Sequence, residues 1–121
     1  MDEASAQREV AAARMQLARI HADSLQAWLV QRDGVPPPIW HDAKAFETAQ
    51  DVRRFLVTGG RLRQARMFAE RAEWHVDGSR VQVRVPVEPA DRSLGRHLVK
   101  THMRWKDDSW WVDDISLELA Q

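Results

Sequence analysis

The residues best equipped for chemistry are two carboxylates and a histidine spread along the chain, Glu70, Asp113 and His21. A carboxylate that orients an imidazole in a desolvated pocket makes a pair able to move a proton on a bound small molecule, because burial raises the carboxylate's pKa toward the range useful to a general base. Five histidines also raise the question of a metal. Zinc needs three or four convergent ligands. No helix carries a histidine or carboxylate pair one turn apart in a ligand motif, and His97 and His102 fall on opposite faces of a strand, so no metal and no other cofactor is expected. Gly59-Gly60 ahead of Arg61-Leu62-Arg63 lacks the strand, loop and helix order of a phosphate cradle. No Gly-x-Ser-x-Gly elbow is present, and a chain without tyrosine or cysteine has neither a phenolic oxyanion donor nor a thiolate.

Proton transfer requires that elements bring these groups together, and periodicity says which elements exist. Between Asp2 and Arg32 there is neither proline nor glycine, and Val10, Ala13, Leu17, Ile20, Ser24 and Trp28 recur every three or four residues. Such a spacing predicts a helix over 2–32, widened by Leu25 and Leu29 and stopped by Asp33-Gly34. Val35-Pro36-Pro37-Pro38 forms an extended corner. A second helix over about 42–58 opens on Asp42 as cap, buries Phe46, Ala49, Val52 and Leu56, and ends at Gly59-Gly60.

The period then changes to two. Residues 80–87 alternate valine with polar groups or Pro86, as a strand with one buried face does. Four strands are expected, at about 66–76, 80–88, 96–106 and 110–119, in an antiparallel meander. An Asp77-Gly78 turn would set Trp74 against Val81 and Phe68 against Val87, and an odd loop over Asp107–Ser109 would match the faces of the last hairpin. In these registers Trp74, Trp105 and Trp111 share an inner face with Glu70, Thr101 and Asp113, with Asp113 opposite Met103 and Thr101 opposite Ile115. His97 ends that face, and His21 looks down on it from the first helix. Trp110 stands outside with Leu98, Lys100 and Arg104. The fold class is therefore α+β: two N-terminal helices on a curved four-stranded antiparallel sheet, in one domain of 121 residues.

Two sets of candidate residues follow. Trp74, Trp105, Trp111, His21 and Thr101 would line a cavity for a small apolar ligand, and Asp113, His21 and Glu70 would act there if the protein is an isomerase- or cyclase-type enzyme. The bland alternative makes the same polar groups structural, each satisfied by a neighbour. Trp110, Leu98, Arg104 and Lys100 would meet a partner protein or a second copy, since exposed apolar groups on a charged face mark contacts. A third alternative is an immunity or inhibitor protein that inserts the corner from Val35 to Trp40.

The final hairpin, Met103-Arg104-Trp105-Lys106-Asp107-Asp108-Ser109-Trp110-Trp111-Val112-Asp113-Asp114-Ile115, together with the order of two helices and a meander, resembles the nuclear transport factor two-like, or cystatin-like, superfamily in its small bacterial members. The resemblance implies a curved sheet with helices on one face, frequent homodimers, and functions from isomerases to non-enzymatic binding and assembly domains. Fold similarity of this kind carries no chemistry by itself, and the reading favoured here is a non-catalytic binding or assembly domain.

Composition narrows the partners. Lysine and arginine number 18, as do aspartate and glutamate, so no net field draws the chain to nucleic acid. Single-stranded nucleic acid binders interleave exposed aromatics with basic residues, and here the strand tryptophans other than Trp110 are assigned inward. No apolar run approaches the ~20 residues that span a bilayer, and Met1-Asp2-Glu3-Ala4 lacks the start of a signal peptide. A cytoplasmic location fits the sequence as given, and a periplasmic one fits if a leader has been removed.

Overall fold

The computed structural model describes residues 2–31, 33–57 and 65–120. Helix α1 spans Glu3–Val30 and α2 spans Ala43–Val57. Five strand segments follow, β1 Arg66–Met67, β2 Glu73–Asp77, β3 Arg80–Glu88, β4 His97–Lys106 and β5 Ser109–Leu119. β1 and β2 lie along the same edge of β3, so the sheet has four positions, in the order β1/β2, β3, β4, β5, all antiparallel. It curves into a half-barrel with both helices on one face, the α+β architecture expected from the periodicities. Thr58, Gly59-Gly60, Arg61, Arg63 and Arg32 lie outside the described residues.

Capping sets where each helix starts. The Asp2 carboxylate accepts from the Ser5 amide at 2.7 Å, and Asp42 accepts from the Ala45 amide at 2.8 Å, each satisfying a donor that has no partner within the helix. α1 stops at Val30, short of Asp33-Gly34, and a side chain from the other helix finishes it. Arg53 of α2 donates to the carbonyls of Trp28 (3.1 Å) and Gln31 (2.7 Å) and lies over the Trp28 ring. A cation at the carboxyl end of a helix also meets the negative end of its dipole.

The buried stripe of α1 differs from the expected one. Ala18, Ala22, Leu25, Trp28 and Leu29 are buried, whereas Val10 and Ile20 are half exposed and Ala13 and Ser24 face solvent. The bulk in this layer belongs to the sheet, so the helix approaches through its alanines. Trp110 is the largest fully buried side chain among the described residues, its indole N–H donates to the Arg14 carbonyl at 2.8 Å, and its ring meets Trp105 edge-on at 5.4 Å. Before Met15, α1 buries no side chain and overhangs the sheet.

Three registers depart from expectation. The first hairpin turns on Gly78-Ser79, with Gly78 at φ +59°, as a two-residue turn with glycine leading requires. Trp74 therefore faces Val83, two residues from Val81, and its side of the sheet is unchanged. The strand expected over 66–76 is broken by a 3-10 turn over Ala69–Arg71, which sets Met67, not Phe68, opposite Val87. Pro86 points toward this edge: its carbonyl accepts from Phe68 at 2.9 Å, but it has no N–H to offer there, so the ladder lapses beside it.

The last hairpin turns on Asp107-Asp108, at φ +52° and +58°, with Lys106 opposite Ser109. This even loop puts Trp110 and Val112 on the inner face, buried to 2% and 0% exposure, and turns Trp111 outward against Arg104. The two adjacent tryptophans thus exchange the places expected for them. Left alone, the same parity would drive Asp114, Ser116 and Glu118 into the core. A bulge prevents this: Met103 pairs with Val112 and His102 with Asp114, leaving Asp113 as the extra residue. Asp113 is therefore not opposite Met103, while Thr101 opposite Ile115 stands as expected.

The proline corner ends beside β5. Val112 donates to the Ile39 carbonyl at 2.7 Å and accepts from the His41 amide at 3.0 Å, a parallel bridge through Trp40 that covers the middle of the sheet edge. Trp28, Trp40 and Phe46 then close over one another, with centroids 5.4–6.3 Å apart. Exchange of the tryptophans predicts unequal mutants. Trp110→Ala should lower the free energy of urea-induced unfolding by about 3–5 kcal/mol, as truncation of a large buried aromatic does, while Trp111→Ala should cost less than about 1.5 kcal/mol.

Candidate functional site

The residues assigned to a catalytic pair are on different sides of the sheet. Asp113, at the bulge, accepts from Arg104 Nε at 3.0 Å on the outer side, and its second oxygen faces His41 Nδ1 at 4.0 Å. That second oxygen is buried and has no hydrogen bond among the described residues. His21 is half-buried on α1, on the inner side. Glu70 is exposed in the 3-10 turn and does not face Val85. Periodicity pointed to Asp113 but chose the wrong histidine. His41 reaches it only because the proline corner folds back on β5, which no local spacing reveals.

The proposed cavity wall is likewise divided. Thr101 is buried between Val83 and Ile115, themselves sealed to 0% and 1% exposure. Trp74 is half-buried at the sheet edge with Arg19 above its ring at 5.8 Å, and Trp105 is half-buried beneath Arg14 at 4.8 Å. Trp111 is outside, its indole N–H held by the Lys106 carbonyl at 2.8 Å. The inner tryptophans thus serve as platforms for arginines of α1 and as core. Surface clefts include one of about 560 Å³ between α2 and the end of β5, lined by Phe55, His97, Leu117 and Leu119 among others, and one of about 360 Å³ at the β2 edge, which Trp74 lines together with Glu73, His75, Gln82 and Arg84.

The outer face of the sheet is the surface on which charge is organised. Among the described residues, neither helix packs there. Its two central strands present Arg80 and Arg84 from β3 and Lys100, His102 and Arg104 from β4. The register sets Arg80 directly against Arg104 and Arg84 directly against Lys100. Like charges in directly opposed positions destabilise a sheet. Strand β5 relieves part of this, since Glu118 binds Lys100 at 2.9 Å and Asp113 binds Arg104 at 3.0 Å. On its other side β3 faces β2, where the register sets Asp77 opposite Arg80 and Glu73 opposite Arg84, and Arg84 also acts on the Glu118 carboxylate, although among the described residues no carboxylate comes within ion-pair distance of either arginine. Of the four residues assigned to partner contact, Lys100 and Arg104 are on this face and Leu98 is half-buried at its end, while Trp110 is in the core and Trp111 takes its outward place. The described residues contain no group of three or more potential metal ligands, and none of the described helices is long and apolar enough to cross a membrane.

Two ionisations respond to these surroundings. The hydrogen bond from Lys100 holds Glu118 below the ordinary glutamate range. Desolvation holds the His21 imidazole below its usual 6.5. The unfolded chain therefore binds the His21 proton more readily than the fold does, and stability falls as pH drops from about 6.5 through the depressed folded value. Urea midpoints measured from pH 3 to 8 should show this limb, and His21→Leu should flatten it. The loss below about 4.5, where Glu118 protonates and releases Lys100, should persist in that variant.

Comparison with protein families, curated proteins and solved structures finds no match for this chain.

Proposed function

We propose that the chain is a non-catalytic binding domain of nuclear transport factor two-like, cystatin-like architecture, and that its outer sheet face holds an acidic segment of a protein partner. The observation that carries this reading is the opposition of Arg80 to Arg104 and of Arg84 to Lys100, with no carboxylate at ion-pair distance from either β3 arginine among the described residues. Asp77 and Glu73 of β2, opposite the β3 arginines, offset part of the repulsion in the free protein, and a negatively charged ligand lying along the two strands offsets more of it. Trp111, beside Arg104 and half exposed, adds an aromatic surface of the kind enriched at protein contacts.

The strip's width favours a peptide over nucleic acid. Two strands carry the positive charge, and carboxylates border them on both sides, Glu73 and Asp77 from β2 and Asp113, Asp114 and Glu118 from β5. A duplex broad enough to cover all four strands meets these carboxylates with its phosphates, whereas one acidic strand or helix lies within the strip. Two copies placed face to face bring the basic columns together, which argues against this face as a self-association surface. Separation of Asp113 from His21 supports the absence of catalysis, because the bulge carboxylate is already engaged by Arg104.

Fluorescence anisotropy with a labelled octaglutamate peptide tests the proposal. Saturable binding at low ionic strength is expected, weakening with added salt, and Arg80→Glu with Arg84→Glu should reduce affinity at least tenfold, about 1.4 kcal/mol, at an unchanged unfolding midpoint. Absence of binding, or equal binding by the double variant, overturns it. Tighter binding of an oligothymidylate of equal charge, lost in the same variant, transfers the surface to nucleic acid and also overturns it.

A further inference from the structure

The register of β5 leaves a second, independent surface at the end of the sheet. Ala120 donates to the Arg96 carbonyl at 2.9 Å, so residues 118 and 116 are the ones that bond β4, and the backbone groups of Ile115, Leu117 and Leu119 point away from it. The proline corner covers this edge only at Val112. Among the described residues no backbone group pairs with Ile115, Leu117 or Leu119 along it. Exposed edges are ordinarily blunted by charge, proline or a covering element. Here the flanking cleft is largely apolar instead, with Phe55 at 53% and Leu119 at 67% exposure, and Thr48, Asp51 and His97 supply its polar part.

We infer that this edge pairs with the same edge of a second copy, antiparallel about a two-fold axis through Leu117. Three residues with outward backbone groups restrict the choice. Centred on Leu117, all three are matched, Ile115 with Leu119 of the second copy, Leu117 with itself and Leu119 with Ile115. Centred on Ser116, Asp114 would oppose Glu118, and centred on Glu118, that carboxylate would oppose its own copy; both place like charges in register. The Leu117-centred pairing sets each Ser116 hydroxyl, which reaches Glu118 of its own chain at 3.4 Å, against the second copy's Glu118 carboxylate as well, and covers the exposed Leu119 of each copy. The edge is thus self-complementary in hydrogen bonding, apolar contact and charge, as an isologous interface must be. The two four-stranded sheets become one, with both basic faces on the same side.

Ser116→Glu separates this interface from folding. Within one chain the introduced carboxylate stands opposite Lys100 and beside Glu118, so its effect on the unfolding midpoint is measured alongside, and across the two-fold axis it meets Glu118 twice more. Sedimentation equilibrium over micromolar to hundreds of micromolar protein should give a dimer for the unaltered chain, and Ser116→Glu should raise its dissociation constant at least tenfold. Ser116→Glu combined with Glu118→Lys restores opposite charges across the axis and should recover dimerisation. A strict monomer throughout, a dimer indifferent to Ser116→Glu, or failure of the double variant to recover it overturns the inference. Octaglutamate binding does not require this edge, so the two proposals fail separately.

Discussion

One surplus residue, Asp113, allows β5 to be a strand of this sheet along its whole length. Trp110 and Val112 face the core at even positions, whereas Ile115 and Leu117 face it at odd positions. No unbroken strand buries both sets, because side chains alternate without exception in a regular ladder. The bulge absorbs the change of parity, and its cost falls where the chain is already polar. Everything that depends on β5 follows from it: the tryptophan that seats α1, the edge bonded by the proline corner, and the anchor for Arg104.

Bulk is distributed between the layers in a complementary way. The sheet contributes Trp110 and half of Trp105, and α1 answers with Ala18 and Ala22, so helix and sheet come close. Hydrogen bonds hold α1 at both ends of its buried half, to the sheet from Trp110 to the Arg14 carbonyl and to α2 from Arg53 to the carbonyls of Trp28 and Gln31. A space filled in this way is core. The arginines that stack on Trp105, Trp74 and Trp28 close its margins.

Charge obeys a different logic on the opposite face. A protein of zero net charge has enough carboxylates to neutralise every arginine, yet β3 and β4 set their cations against one another and leave the carboxylates to the strands on either side. That order compensates itself in part, since Asp77 stands opposite Arg80 and Glu73 opposite Arg84. It concentrates positive potential along two strands while the chain as a whole remains neutral. The free half of the β5 edge is polar only through Ser116 and Glu118 on its outer side, so its two sides differ as a contact surface must.

Local periodicity determined the two helices, the Asp42 cap, the four strand positions, the alternation of the valines in β3 and the pairing of Thr101 with Ile115, because each depends on residues a few positions apart. Trp110 and Trp111 lay beyond that reach. An even turn and an odd turn differ by one residue, and the decision between them rests on which tryptophan fits beneath α1, a partner ninety-six positions away. The Asp113-Asp114 pair, where the apolar alternation shifts from even to odd, was the one written sign of the bulge. His41 became the neighbour of Asp113, and the arginines and Lys100 of the outer face became opposed columns, only when strands and corner were brought together. Sequence patterns state what each residue prefers, but which preferences meet in space is settled by the packing of a whole layer.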